Sequence, residues 1–332
     1  RLRQRQLKAF GRNRLERMFL RRTRAGELCV LWPGASPELA QALKTRGNPI
    51  VLEAINTPMR HARRVLDAAY ARFGSLPCHT ITDQRIEKEE RLYALADAIF
   101  CPSPLVEASL AETPFSGYIL RTSRGVEDPE RTIPNRALRM TDGKVLCLFV
   151  GSADVRKGID RLLEIWPSLP DYMHLRIVGQ IEAIITKRYA AALAHPRIEA
   201  VGHSRDVNRH YDEADIFVLP SREEGDPKVT YEAANAGLPL IVSHAGGGRL
   251  LQESSVCIEI DPEAPDILAR TLIDLAANPA RRLSLGRAAK TAVRNYCWSC
   301  VARRRILELN DAFPDDLPLN QGRPDLESSG WV

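Results

Sequence analysis

The chain has 332 residues, enough for two α/β domains with separate cores. It contains no apolar run of 18 residues, which excludes a membrane-spanning helix on sequence grounds. The formal charge of +5 is uneven: residues 1–24 hold ten Arg or Lys against Glu16 alone, a local +9 that leaves −4 elsewhere.

Within that basic segment Leu7, Phe10, Leu15, Met18 and Phe19 fall at helical spacing, so an amphipathic helix is expected. It reads either as a solvated helix with a positive outer face or as a peripheral contact with anionic lipid. No nucleic-acid module follows it, so nucleic acid is not expected as a partner. The chain opens on Arg1 rather than Met, which points to a fragment or a processed product. Seven cysteines are scattered, several in apolar strand-like runs, as suits reduced, buried thiols in a cytoplasmic protein. Cys297-Trp-Ser-Cys300 has redox or metal spacing, but no second such pair or paired His accompanies it, so neither role is expected.

From about Glu27 strands and helices alternate. Cys29–Trp32 and Ile50–Glu53 read as short buried strands around a helix over Pro37–Arg46. Helices follow over His61–Phe73 and Glu87–Asp97, then a strand over Ala98–Cys101, a helix over Val106–Ala111 and a strand over Tyr118–Leu120. Residues 127–142 are rich in Pro, Arg and Asp and read as a linker. The pattern then restarts with strands at Val145–Val150, His174–Val178, Ile198–Val201, Ile216–Leu219 and Pro239–Val242. Helices over Asp160–Trp166, Ile184–Ala194, Val207–Ala214 and Val229–Ala236 separate them, and a last long helix covers Cys300–Asn310. Continuous apolar strands alternating with helices imply parallel sheets covered on both faces. The expected layout is an N-terminal Rossmann-like domain (1–126), the linker, a second Rossmann-like domain (143–296), a crossover helix (297–313) and a tail (314–332). Ligands in such sheets lie at the carboxyl ends of strands.

Three loops at those ends carry chemistry. Gly151-Ser-Ala-Asp-Val-Arg-Lys-Gly158 lets backbone approach a ligand and places Arg156 and Lys157 before a helix. Glu224-Gly-Asp-Pro-Lys-Val-Thr-Tyr-Glu232 runs from loop into helix with two carboxylates eight residues apart. Carboxylates accept hydrogen bonds from sugar hydroxyls, and free N–H groups at a helix start face a phosphate. Ala245-Gly-Gly-Gly-Arg-Leu250 permits a third close approach.

Phe149-Val-Gly-Ser152, Arg156-Lys-Gly-Ile159, Ile177-Val-Gly179, Ala214-Asp-Ile-Phe-Val-Leu-Pro-Ser221 and Glu224 through Pro239 together resemble the C-terminal domain of glycosyltransferase family 4. The resemblance covers about residues 144–310 and implies an α/β GT-B fold with two Rossmann-like domains facing a cleft. The first half is similar more loosely, through Leu95-Ala-Asp-Ala-Ile-Phe-Cys-Pro-Ser103, Arg124-Gly-Val-Glu127 and Asn56-Thr-Pro-Met-Arg-His61, the last as in a bacterial branch. It implies that Glu224 holds donor-sugar hydroxyls, Glu232 the ribose and Lys157 the phosphates. Backbone around Gly225, Lys228, Val229 and Thr230 would face phosphate and sugar, with Gly151, Ser152, Arg156 and Gly179 lining the donor site. The loop at Gly202-His203 lies where the base packs. His61 is the best match to the family's cleft histidine.

Three departures stand out. Ser152 occupies a place that is often Arg, the Ala245–Leu250 loop lacks the family's acid, and the chain opens with a basic helix instead of a strand and Gly-rich loop. The first strands of the N-terminal sheet are therefore expected to be missing. The expected activity is retaining, metal-independent transfer from a nucleoside-diphosphate sugar, UDP- or GDP-linked, to a glycan or lipid-linked acceptor in envelope polysaccharide synthesis. No cofactor is expected, since the nucleotide sugar is a substrate. A non-catalytic sugar-nucleotide-binding module, or a phosphorylase or hydrolase of the same architecture, is the alternative.

Overall fold

The computed structural model describes residues 14–133 and 143–314. The expectations for residues 1–13, the later part of the linker (134–142) and the tail from 315 lie outside the described residues. Residues 14–22 are helical, as the apolar spacing predicts.

Two wholly parallel sheets form the framework. The first contains β1 (Cys29–Leu31), β2 (Ile50–Glu53), β3 (Ala98–Cys101) and β4 (Tyr118–Arg121), in the order β1-β2-β3-β4. The second contains β5 (Val145–Val150), β6 (Met173–Val178), β7 (Ile198–Gly202), β8 (Ile216–Leu219), β9 (Leu240–Ser243) and β10 (Cys257–Ile260). Their order, β10-β9-β8-β5-β6-β7, reverses direction at β5, so β5 and β8 flank a switch point where ligands of open sheets bind. The central strands β8 and β9 are buried along their whole length, which explains their unbroken apolar sequence.

Several helix starts follow cap chemistry. Ser36 accepts from Leu39 N ahead of Pro37–Thr45, and Ser103 accepts from Val106 N ahead of Pro104–Leu110. Thr82 caps Asp83–Tyr93, which therefore begins four residues before the expected Glu87. The charged run 83–90 hides its apolar stripe. The expected helix over Ile184–Ala194 is instead two short ones, Ala183–Arg188 and Ala190–Leu193, broken at Tyr189. The fold adds β10 and the helices Pro265–Ala276 and Pro279–Val293 to the expected elements.

The last helix, Trp298–Ala312, is fastened to the first sheet. Arg305 pairs with both oxygens of buried Glu53 at 2.9 and 2.6 Å, lies 4.6 Å over the Phe100 ring and donates to Thr122 Oγ1 at 2.9 Å. An acid at the end of an otherwise apolar strand is thus balanced by a cation from more than 250 residues away.

Candidate donor site at the strand ends

Gly151 ends β5 with φ +132° and Gly179 ends β6 with φ +143°. A Cβ on Gly179 would stand 1.9 Å from Gly151 O, so the two loops touch through bare backbone. The stem of Lys157 lies across Gly151, whose added Cβ would meet Lys157 Cδ and Cε at 3.0 Å. The next loop is shaped by Asp154, whose Oδ1 accepts from Lys157 N at 2.8 Å and whose carboxyl burial pushes above its usual range.

Opposite stands the loop after β8. Lys157 Nζ bonds Glu224 Oε1, and Arg156 reaches Glu224 Oε2 at 3.1 Å. Ser221 Oγ also lies 3.4 Å from Glu224 Oε1. The structure therefore brings Arg156, Lys157 and Glu224 into one ion cluster, in which Lys157 and Glu224 are buried and Arg156 is half-buried at the edge. Behind it Arg222 forks onto Asp160 with two contacts of 2.7 Å and fixes the start of the loop.

The following residues bind the first sheet. Glu223 accepts from Thr57 Oγ1 at 2.8 Å. A Cβ on Gly225 would meet Ile55 O at 2.0 Å, so glycine permits direct contact between the sheets' loops. Asp226 is buried and accepts from Arg124 N at 2.6 Å, Tyr231 OH at 2.7 Å and Arg249 N at 3.2 Å. Burial pushes its carboxyl up to about 6. Arg249 caps the first sheet, donating to Cys101 O at 3.0 Å, Pro102 O at 3.3 Å and Thr122 O.

Glu232 lies on the second turn of the helix Lys228–Asn235 and opens on a different cavity, of about 480 Å³, shared with Val126, Arg131, Arg205 and Asn208. Buried Tyr211 donates to its Oε2 at 2.9 Å, and Lys228 reaches Oε1 at 3.2 Å. No side chain caps this helix, which leaves the N–H groups of Lys228 and Val229 uncapped by one. Thr230 departs from expectation. Its N–H donates to Pro227 O at 3.0 Å and its hydroxyl to Gly246 O at 2.7 Å, because the helix opens on a tight turn against the loop after β9.

Gly202 ends β7 with φ +75° and its carbonyl accepts from Gly179 N at 2.8 Å, while His203 beside it is exposed. Exposed Ser152 lines a cavity of about 490 Å³ with Asp154, Arg156, Gln180 and Glu182, facing Tyr70 and His79. His61 sits on the helix Met59–Arg72, where Glu112 at 3.0 Å and Arg64 at 3.1 Å engage its Nδ1. The cavity of about 390 Å³ above β1 and β2 is lined instead by Asn56, Thr57, Met59, Arg85, Glu89 and Tyr93, with Arg156 and Glu223 as its far wall. Glu89 accepts from Met59 N at 2.6 Å, and burial pushes its carboxyl up to about 7.

Sequence reading missed Glu223, Asp226, Arg249 and Glu89. The acid directly before Glu224, and an Asp-Pro pair at a helix entrance, were visible signals. Arg249 and Glu89 had none, because their partners are distant in sequence.

Two parallel α/β sheets whose strand-end loops meet in this way define the GT-B fold. Residues 144–278 match the family model described as Glycosyl transferases group 1. An uncharacterized glycosyltransferase of Haemophilus influenzae is 33% identical over 129 residues, covering 37% of this chain and 36% of that protein. A D-inositol 3-phosphate glycosyltransferase of Xylanimonas cellulosilytica is 29% identical over 51% of this chain and 42% of that protein. A GDP-mannose-dependent alpha-mannosyltransferase of Mycobacterium tuberculosis is 30% identical over 59% and 54%. The chain thus spans about half, or less, of the length of these curated relatives. Among solved structures, the sucrose-phosphate synthase of Thermosynechococcus elongatus superposes with TM-score 0.66 at 21% identity, over 86% of this chain and 74% of that one. Anabaena HepE in complex with UDP gives TM-score 0.68 at 13% identity, over 90% and 82%. Both show likeness of fold.

Proposed function

We propose that the protein is a retaining glycosyltransferase that moves a sugar from a UDP- or GDP-linked donor to a glycan or lipid-linked acceptor. The Arg156–Lys157–Glu224 cluster at the β5/β8 switch point, built on the buried Lys157–Glu224 pair, carries this reading. In the free protein Glu224 balances the two cations. An arriving diphosphate takes its place against Lys157 and Arg156, and the released carboxylate accepts hydrogen bonds from the donor sugar. Glu232, held by Tyr211, takes the ribose hydroxyls.

Cleavage of the sugar–phosphate bond leaves charge on the departing diphosphate. Fixed cations stabilise that charge more than the ground state, and one such donor is worth about 2.7–4 kcal/mol by analogy with an oxyanion hole. Lys157 and Arg156 supply the positive charge in this reading, without a resident metal or cofactor. The acceptor enters from the cavity of Asn56 and Glu89, whose far wall is Arg156 and Glu223. Neutral Glu89 can donate to an acceptor hydroxyl, and ionised Glu89 can accept from one. Similarity supports the reading: residues 144–278 match a glycosyltransferase family model, and two of the relatives are a D-inositol 3-phosphate glycosyltransferase and a GDP-mannose-dependent alpha-mannosyltransferase. Peripheral contact with anionic lipid through residues 1–24 fits the segment's charge of +9. Among the described residues no helix is long and apolar enough to cross a membrane.

The test is thermal stabilisation by UDP, GDP, ADP and their hexose conjugates, followed by product analysis with glycan and lipid acceptors. Stabilisation by one base, lost in Lys157→Ala and Glu232→Ala, supports the donor site. Donor binding without transfer or hydrolysis by the whole chain would favour a binding module, and absence of binding to every nucleotide would sink the reading.

A further inference from the structure

Cys297-Trp-Ser-Cys300 takes no part in the site above, and here the structure departs from the expectation of reduced thiols: the two sulfurs form a disulfide, with Cα atoms 5.1 Å apart. Cys297 is the N-cap of the fifteen-residue helix Trp298–Ala312, and its Sγ accepts from Cys300 N at 3.1 Å, with Ser299 Oγ 3.0 Å away. Both cysteines are half-buried. The other five differ. Cys29, Cys101 and Cys147 are buried in the core, and burial pushes the thiols of Cys101 and Cys257 up to about 12. Cys78 is exposed, with no cysteine bonded to it.

The pair sits where the chain passes twice between the sheets. Val126, leaving the first sheet, bridges to Cys297 and donates from its N to Tyr296 O at 2.8 Å. Trp298 covers Gly125 so closely that a Cβ there would lie 2.5 Å from the ring. Tyr296 packs on Tyr231 with ring centres 5.2 Å apart, and Tyr231 OH holds Asp226 in the donor loop.

We propose that Cys297 and Cys300 are a reversible thiol–disulfide exchange site, serviced by a vicinal dithiol, that sets the packing of the junction between the two sheets. The dithiol attacks Cys300 Sγ as a thiolate. The Cys297–Cys300 bond breaks, and Cys297 leaves as a thiolate held by the Cys300 N–H and the Ser299 hydroxyl at the helix start. The second sulfur of the reductant then attacks the mixed disulfide and expels Cys300. The pair gains two electrons and takes up two protons, and the reductant departs as a cyclic or intramolecular disulfide. Reduction frees the first turn around Trp298 from its cross-link, so the ring's contact with Gly125 reports the redox state.

The whole chain is equilibrated in mixtures of reduced and oxidised glutathione, quenched in acid, and alkylated with N-ethylmaleimide at neutral pH under denaturant. The tryptic peptide spanning residues 295–303 is then weighed. The expected result is a single transition from none to two maleimides on that peptide, with far-ultraviolet circular dichroism unchanged. Trp298 emission shifts with the same midpoint, and the shift is lost in Trp298→Phe. Cys300→Ser, which keeps the Cys297 cap, folds and loses the transition. A pair that stays reduced in excess oxidised glutathione overturns the proposal. So does one that opens only on global unfolding, or a Trp298 signal indifferent to the redox state.

Discussion

Replacing Lys157 with Met keeps an aliphatic stem against Gly151 and deletes the charge that faces Glu224. The side chains of Lys157 and Glu224 are only 10% and 8% exposed, so Glu224 loses a partner without gaining water. Removing one member of a buried pair costs about 3–5 kcal/mol. Arg156 at 3.1 Å and Ser221 at 3.4 Å remain, which places Lys157→Met near the lower end, about 3 kcal/mol. Glu224→Gln in the same background removes the orphaned charge, so the double variant should recover at least about 1 kcal/mol of the summed single losses. Urea unfolding of the four proteins at neutral pH measures this coupling. A value within about 0.5 kcal/mol of additivity would refute the ion cluster. The same proteins test the phosphate role. A nucleotide at about 100 times its Kd stabilises the folded state by about 2.7 kcal/mol. That gain should be present in the wild type and absent in Lys157→Met. A variant that keeps it would leave the cluster intact as a structural feature and remove Lys157 from donor binding.

Asp226 ionises near its ordinary 3.8 in the unfolded chain and at about 6 in the fold, so between those values the native state binds more protons. Stability relative to Asp226→Asn should therefore fall as pH rises from about 4 to about 6, by about 2 kcal/mol, since the slope approaches about 1.36 kcal/mol per pH unit only between the two values; a difference that stays flat across urea melts in this window contradicts it. Gly225→Ala drives a Cβ into Ile55 O at 2.0 Å and should part the two sheets' loops, costing about 1–3 kcal/mol and raising the radius of gyration by X-ray scattering. An unchanged radius and melting point would mean that the contact is not retained in solution. Tyr211→Phe removes the donor to Glu232 and should weaken UDP or GDP binding about fivefold, the equivalent of about 1 kcal/mol, while leaving inorganic pyrophosphate unaffected. Equal loss for both ligands in calorimetry would detach Glu232 from the ribose.

What the sequence determined by itself was local and periodic. Val145–Val150 and Ile216–Leu219 read as buried strands because a parallel strand covered on both faces must be apolar throughout. The glycines after β5 and β6 marked the close approach of backbone, and the spacing of Glu224 and Glu232 across a strand–loop–helix junction located the candidate donor loop. Cap residues such as Ser36 and Ser103 set several helix starts, and the start at Asp83 is displaced from the expected one because charged residues obscure a short apolar face. What the tertiary structure decided were the pairings between chemically costly groups far apart in the chain. Glu53 meets Arg305, Glu223 meets Thr57, Asp226 meets Arg124, and Arg249 meets the carbonyls of Cys101 and Thr122. A buried charge must find a partner, but periodicity carries no information about which one. That choice follows from how the two sheets face each other, and it turns one loop of the second sheet into both the candidate donor site and the fastening to the first.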